Sequence, residues 1–324
     1  MVRVGFPEKL GFALPAELPT GVELVPLADQ LQGTVELDVL IGDPYYSRTI
    51  AKWPHLRGVR LLLSLLAGTE WAPPLVGPGV TICNARGAHS IATAEWTLTA
   101  ILTMLKYIPR YVEIQKSGVW KRRFEQVEHY ASLAGVPGSV EPPVLQEELH
   151  GKRVLLVGHG SIGQEIERLL APFEVELTRV ARSPRENPRV HAIAELDSLL
   201  PAAEIVILIL PLTDETRHLI NARRLALMKQ GTLIVNAARG AIVETDALVK
   251  ELKAGRLRAA LDVTEPEPLP EDHALWHAPN VLVTEHIAGS TPQFARRAMR
   301  VAFEELARYV KGEPLENVVQ AGRD

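Results

Sequence analysis

A single cysteine, Cys83, stands among the 324 residues, so no intrachain disulfide is available and the fold does not depend on an oxidising compartment. Cys83 ends the apolar run Val80-Thr81-Ile82-Cys83, where a small buried hydrophobe is expected rather than a nucleophile. No apolar stretch approaches the roughly 18 residues that a membrane-spanning helix requires. The opening Met1-Val2-Arg3-Val4-Gly5-Phe6-Pro7-Glu8 lacks the basic segment and apolar core of a secretory signal, and a cytoplasmic protein is the expectation. There is no excess of positive charge either. Lys and Arg total 35 against 39 Asp and Glu, a formal net charge of -4, which excludes the broad basic field that draws proteins to nucleic acid. The densest basic stretch, Lys121-Arg122-Arg123 beside Trp120, is expected to be a solvated face. No repeat of solenoid period is present, and no cluster suggests a metal.

What is present is globular: 47% apolar and 23% charged residues, in a chain long enough for two domains. The first hundred residues alternate short apolar runs with Gly and Pro punctuation. Val35–Ile41 ends at Gly42-Asp43-Pro44, Val59–Leu63 ends near Ala67-Gly68, and Val80–Ile82 ends at Asn84. Strands of this length with helices between them predict a small parallel α/β unit. Then Ile91, Ala94, Leu98, Ile101, Leu102, Leu105 and Ile108 recur every three or four residues, predicting one long helix capped by Ser90 and stopped by Pro109. The stretch from Tyr111 to Leu149 carries little pattern and is broken at Pro137-Gly138 and Pro142-Pro143.

From Lys152 the alternation is regular. Strands are predicted at Val154–Val157, Val175–Val180, Ile205–Leu210, Leu233–Asn236, Ala259–Asp262 and Val281–Thr284, with helices between them, including Ile162–Leu170 and a last one over 292–310. Six consecutive apolar residues at 205–210 suit a strand covered on both faces. The whole predicts α/β architecture with doubly wound parallel sheets.

Gly158-His159-Gly160-Ser161-Ile162-Gly163 follows the first of these strands and opens the first of these helices. In that context a G-x-G-x-x-G is a dinucleotide turn: one glycine for the bend, one for close approach of a pyrophosphate, one for helix–strand packing. The same turn is compatible with another adenosine ligand such as S-adenosylmethionine. About twenty residues on, a carboxylate usually accepts from the ribose 2′-hydroxyl. Here the strand runs into Ala181-Arg182-Ser183-Pro184-Arg185, which offers guanidinium groups and a hydroxyl instead. A 2′-phosphate would suit them, so NADP(H) is expected as the preferred cofactor. If Arg182 and Arg185 are ordinary loop charges, NAD(H) serves as well.

Arg239, Glu267 and His286 each lie a few residues past the carboxyl end of a predicted strand, where open α/β sheets build their sites. Reduction of a ketone leaves an alkoxide that needs a proton, which histidine can give near neutral pH. A carboxylate can orient the imidazole, and arginine can clamp a substrate carboxylate with paired donors.

Val235-Asn236-Ala237-Ala238-Arg239-Gly240 with Glu244, Leu261-Asp262-Val263 through Glu267-Pro268, and His286-Ile287-Ala288-Gly289-Ser290-Thr291 together resemble the three site motifs of the D-isomer-specific 2-hydroxyacid dehydrogenase family. Asn84-Ala85-Arg86-Gly87 with Ala94-Glu95, and Leu210-Pro211-Leu212-Thr213 with Thr216, match as well, so the resemblance runs from about Leu61 onward. It implies two Rossmann-like domains: a flavodoxin-like substrate domain of residues 1–89 and 292–324, and a larger dinucleotide domain of 90–291 whose segment 90–150 holds the long helix and a dimerisation arm. It implies that Arg239 binds the substrate carboxylate and carbonyl, that His286 is the acid/base with Glu267 as partner, and that backbone amides at Ala67 and Gly68 hold the carboxylate. Asp262 would meet the nicotinamide carboxamide. Gly158, Gly160, Ser161, Ile162, Gly163, Arg182, Ser183, Arg185, Pro211, Thr216, Ala237 and Gly289 would complete the cofactor site. A homodimer is implied.

Three departures from the family pattern stand out. Ala181 replaces an acidic residue, Glu285 replaces a proline before the histidine and could either raise the imidazole pKa or point away, and Thr264 replaces an aromatic. The resulting expectation is an NADP-dependent reductase of glyoxylate, hydroxypyruvate or a similar short 2-keto acid. Tyr45-Tyr46 beside Asp43-Pro44 could instead favour a larger apolar acid. Phosphoglycerate or another small anion is an alternative, for which Arg48, Lys52 and Arg57 are available cations. A dinucleotide-sensing, corepressor-like binding protein is the alternative outside enzymology.

Overall fold

A computed structural model describes residues 1–9, 19–134 and 144–322. The breaks at Pro137-Gly138 and Pro142-Pro143 lie outside the described residues. The chain divides into two compact units, Met1–Ser90 with Ser290–Asp324, and Ile91–Gly289.

The first unit is built on a sheet of β1 (Val2–Pro7), β2 (Val22–Leu27), β3 (Val39–Ile41), β4 (Leu61–Leu63) and β5 (Thr81–Cys83). These five run parallel in the order 2-1-3-4-5, and an edge strand Val318–Gln320 pairs antiparallel with β5. Alternate strand residues feed opposite faces, as the pleat dictates. Val4, Val39, Ile41, Leu61 and Leu63 pack with Ala298, Met299, Ala302, Phe303 and Leu306 of the helix Phe294–Lys311, while Leu40, Leu62 and Ile82 pack with Leu27, Leu37 and Leu56. Cys83 is buried in the first of these layers, and burial followed by the Glu305 carboxylate pushes its thiol up to about 12, so it behaves as a core residue.

The second unit holds β6 (Arg153–Val157), β7 (Glu176–Ala181), β8 (His191–Ala192), β9 (Ile205–Leu208), β10 (Leu233–Asn236), β11 (Arg258–Leu261) and β12 (Val281–Val283). All pair parallel, in the order 8-7-6-9-10-11-12. This is the doubly wound Rossmann arrangement, and the strand order reverses at β6, the point where such sheets take nucleotides. The continuous apolar run at β9 is covered on both sides: Ile205 and Ile207 join one core with Ala94, Ile101, Leu105 and Ile166, and Val206 and Leu208 join the other with Leu196, Leu225, Leu248 and Leu252.

The long helix runs Ser90–Leu105 and differs from its sequence pattern at both ends. Ser90 is its first residue, and its buried Oγ has no hydrogen-bond partner among the described residues, so it does not cap. Tyr107 adopts a left-handed conformation (φ 52°), and Pro109 falls in the first turn of the next helix, Ile108–Ser117, rather than ending the first. Ile91 and Ile108, at the ends of the predicted stripe, are exposed. Val35–Ile41 is two short strands, Val35–Glu36 and Val39–Ile41, rather than one. No helix among the described residues is long and apolar enough to cross a membrane.

Candidate active site

The glycine turn lies between β6 and the helix Ser161–Leu170. Gly158 has φ +110° and donates its N–H to Val180 O at 2.8 Å, tying the ends of β6 and β7 together. A Cβ on Gly158 would strike Ile209 O, and one on Gly163 would strike Gly158 O. A Cβ on Gly160 would meet nothing within 4 Å. So two of the glycines are demanded by the fold, and the third leaves open space in front of the turn. No side chain caps the helix, and its first intrahelical donor is Gln164, so the amides of Ser161, Ile162 and Gly163 have no partner within it. A helix N-terminus with free amides behind an unobstructed glycine fits a pyrophosphate.

At the end of β7, Ala181 presents no carboxylate, and Arg182, Ser183 and Arg185 are exposed. Arg185 opens a tight hairpin, exchanging backbone hydrogen bonds with Val190 (3.1 and 2.8 Å). Its guanidinium rests on the ring of His159 inside the glycine turn. Pro211 and Thr216 lie in the loop after β9, where the Thr216 hydroxyl donates to Pro211 O at 2.8 Å and accepts from Thr213 N at 2.7 Å. Ala237 follows β10 and donates its N–H to Leu208 O at 3.3 Å. Gly289 is half-buried just beyond the His286 turn.

Arg239, Glu267 and His286 follow β10, β11 and β12 and come together at one edge of the sheet. Buried Asn236 shapes the arginine turn: its Oδ1 accepts from Ala238 N at 3.1 Å and its Nδ2 donates to Arg239 O at 3.0 Å. Next to Arg239, Gly240 lets that turn lie against the Thr264–Glu265 backbone, since any Cβ there would overlap it. His286 Nδ1 lies 2.6 Å from Glu267 Oε1, with both side chains somewhat under half exposed (46% and 43%). This bond, then the Glu267 charge, raises the imidazole pKa above the ordinary histidine value; burial and the Arg239 charge pull the other way, and Asp262 adds to the rise. Glu267 is held below the usual carboxylate range, first by the His286 bond, with the His286 and Arg239 charges contributing. Glu285 is exposed, and the groups that chiefly act on His286 are Glu267, Arg239 and Asp262.

Asp262 is buried at the end of β11. Its Oδ1 accepts from Thr284 Oγ1 (2.6 Å) and Ile287 N (2.9 Å), its Oδ2 accepts from Ala288 N (2.9 Å), and its backbone carbonyl accepts from His286 N (2.7 Å). That grip accommodates the left-handed backbone of His286 (φ 57°). Asn236, Thr284 and His159 were not singled out from the sequence. The signal for Thr284 and His159 was only their position beside a motif residue.

In the first unit, Ala67 and Gly68 are half-buried in the turn after β4, where Asn84 Nδ2 donates to Ala67 O at 2.8 Å. The three cations of that unit available for a phosphorylated acid, Lys52, Arg48 and Arg57, are engaged. Lys52 is buried with its Nζ 3.3 Å from Asp43, Arg48 lies over the Tyr45 ring and beside Asp29 and Asp43, and Arg57 donates to Pro54 O and Leu56 O. No group of His, Cys, Asp or Glu able to hold a metal occurs among the described residues.

A parallel sheet of this order, with a glycine turn at its reversal point and a histidine–carboxylate pair at its carboxyl edge, defines a nicotinamide-dinucleotide oxidoreductase. Residues 98–288 match the family model described as D-isomer specific 2-hydroxyacid dehydrogenase, NAD binding domain. The chain belongs to the D-isomer specific 2-hydroxyacid dehydrogenase family. Among its relatives are a glyoxylate reductase of Thermofilum pendens, 35% identical over 74% of this chain and 68% of the relative, and a D-3-phosphoglycerate dehydrogenase of Methanocaldococcus jannaschii, 33% identical over 74% of this chain. The match spans 43% of the length of the latter. A solved D-isomer specific 2-hydroxyacid dehydrogenase of Xanthobacter autotrophicus, in complex with NADPH and MES, is 26% identical, with a TM-score of 0.74 and 99% and 98% of the two chains covered.

Proposed function

We propose that the protein reduces a short 2-keto acid of the glyoxylate or hydroxypyruvate class to the D-2-hydroxy acid, with NADP(H) preferred and NAD(H) usable. The observation that carries this is the His286–Glu267 pair at 2.6 Å, set beside Arg239 at the carboxyl edge of the dinucleotide sheet. When bound, the dinucleotide supplies the hydride. The chain's own groups do the rest. Nδ1–H of His286 donates to Glu267, which fixes the ring and favours the imidazolium, so Nε2–H can protonate the nascent alkoxide. In the oxidative direction neutral Nε2 takes that proton from the hydroxyl. Arg239 holds the substrate carboxylate and polarises the carbonyl with its forked donors. Asp262, while holding the His286 turn, would also receive the carboxamide of a bound cofactor.

The absence of a carboxylate at Ala181 and the presence of Arg182, Ser183 and Arg185 support the NADP preference. The pairing of Lys52, Arg48 and Arg57 favours an unphosphorylated acid over phosphoglycerate. Exposed Ile108, Val112, Val119, Trp120 and Phe124 on the helices after the long one support a homodimer through the 90–150 segment. Lone, buried Cys83 supports a cytoplasmic setting. The test is loss of reduced-cofactor absorbance with a panel of 2-keto acids, each with NADPH and NADH. Turnover of short acids faster with NADPH is expected. Tight cofactor binding with no turnover of any acid would instead indicate a dinucleotide sensor.

A further inference from the structure

The glycine turn carries a residue whose side chain neither packs in a core nor faces the reacting groups. His159 occupies the first variable position of G-x-G-x-x-G, and its side chain is 3% exposed. A buried imidazole needs partners for both ring nitrogens, and here each is defined. Nε2 lies 2.6 Å from Glu167 Oε2 on the following helix. Glu167 is itself gripped by Arg179 of β7 through two bonds, Nε to Oε2 at 2.9 Å and Nη2 to Oε1 at 2.5 Å. The Arg179 bond, with that of His159, holds the Glu167 carboxyl down to about 2, so it is a carboxylate and accepts the Nε2–H. Nδ1 therefore carries its lone pair, and the group facing it is the Arg185 guanidinium, which cannot give up its charge and must donate. The relay Arg179–Glu167–His159–Arg185 thus joins β7, the helix after the glycine turn, the turn itself and the hairpin that opens at Arg185.

The location gives the relay a purpose. Gly158 N–H bonds Val180 O, so the glycine turn and the end of β7 are side by side. That junction is where a Rossmann domain reads the adenosine ribose, with a group at the end of the second strand facing the 2′ position. Arg185 is otherwise an exposed side chain at the mouth of a hairpin, with many rotamers to lose on binding an anion. The His159 ring narrows these to one that draws the guanidinium back toward the turn.

We propose that His159 is a positioning residue for cofactor selection: its Nδ1 holds Arg185 where the guanidinium meets a ribose 2′-phosphate. This rests on the NADP preference proposed above. The test measures binding of 2′,5′-ADP and of 5′-AMP by calorimetry, so it reads the 2′-phosphate alone and needs no turnover. Five proteins are compared: the unaltered chain, His159→Phe, His159→Gln, Arg185→Ala and the double variant of His159→Phe with Arg185→Ala. The unaltered chain is expected to bind 2′,5′-ADP at least tenfold tighter than 5′-AMP. His159→Phe keeps the ring volume but has no acceptor, and it should lose most of that preference while 5′-AMP affinity changes less than twofold. Arg185→Ala should lose it equally, and the double variant should lose no more than either single one. His159→Gln, which retains one acceptor and one donor, should recover part of it. If the unaltered chain does not distinguish the two ligands, the NADP preference itself is overturned. If it does, Arg185→Ala loses the distinction and His159→Phe keeps it, only the role of His159 is overturned. Equal weakening of both ligands by His159→Phe marks a merely structural residue and overturns it too.

Discussion

His286 Nδ1 and Glu267 Oε1 are 2.6 Å apart although the two residues leave different strands, and in the proposed reaction this pairing leaves Nε2 to exchange the proton. Replacing His286 with alanine removes the acid/base group while the glycine turn stays intact. The expected outcome is a fall in kcat of about 10² or more with dinucleotide affinity retained. Steady-state kinetics with a separate cofactor titration checks it, and an unchanged kcat would take His286 out of the mechanism.

The pH dependence follows from the direction of the His286 shift. Its bond to Glu267 and the Glu267 charge raise the pKa, so the imidazolium persists above the ordinary histidine value. Reduction needs that imidazolium. kcat/KM for the keto acid should therefore hold through neutral pH and fall as pH rises through the raised pKa, whereas oxidation of the hydroxy acid should rise over the same range. The stabilisation that the pair lends the fold is lost in the same direction, present at lower pH and absent above the raised pKa. In Glu267→Gln the raising causes are largely gone, and burial and Arg239 remain to oppose charge on the ring. The reductive limb should move to lower pH. A profile that does not move would separate Glu267 from the titration.

Arg239→Ala should raise the keto-acid KM and lower kcat together, reducing kcat/KM by about 10² or more, because a charge-assisted forked contact is lost in both ground and transition states. Saturation curves for both substrates give the answer. A change confined to the cofactor KM would contradict the role.

The two kinds of glycine in the turn should respond differently. Gly160 has φ -85° and open space at its Cβ position, so Gly160→Ala should leave the melting temperature within about 1 °C while weakening dinucleotide binding by about tenfold or more, because the methyl enters the pyrophosphate's approach. Gly158 has φ +110° and the Ile209 carbonyl against its Cβ position, so Gly158→Ala should lower the melting temperature by about 5 °C or more before any ligand is considered. Thermal melts and calorimetry on both variants distinguish fold demand from ligand demand.

Local sequence was enough for the elements of the second unit. Period-two and unbroken apolar runs placed six of its seven strands to within about two residues, because burial on one or both faces leaves its pattern in adjacent side chains. The glycine turn was legible for the same reason, since its constraints act over six consecutive residues. Arg239, Glu267 and His286 could be placed just past strand ends, for a strand's end is a local event. Tertiary structure alone decided the strand order 8-7-6-9-10-11-12, which brings those three ends to one edge, and the packing of helix Phe294–Lys311 against the first sheet rather than the second. It also decided that Asp262 holds the His286 turn and that Arg185 lies on His159, contacts spanning 24 to 26 residues. The stripe at Ile91 to Ile108 fails at both ends because periodicity states which face can be buried, not how far a partner surface extends to cover it. Long-range pairings have no local signature: any of several apolar surfaces could satisfy the same helix, and the choice follows from the energy of the assembled whole.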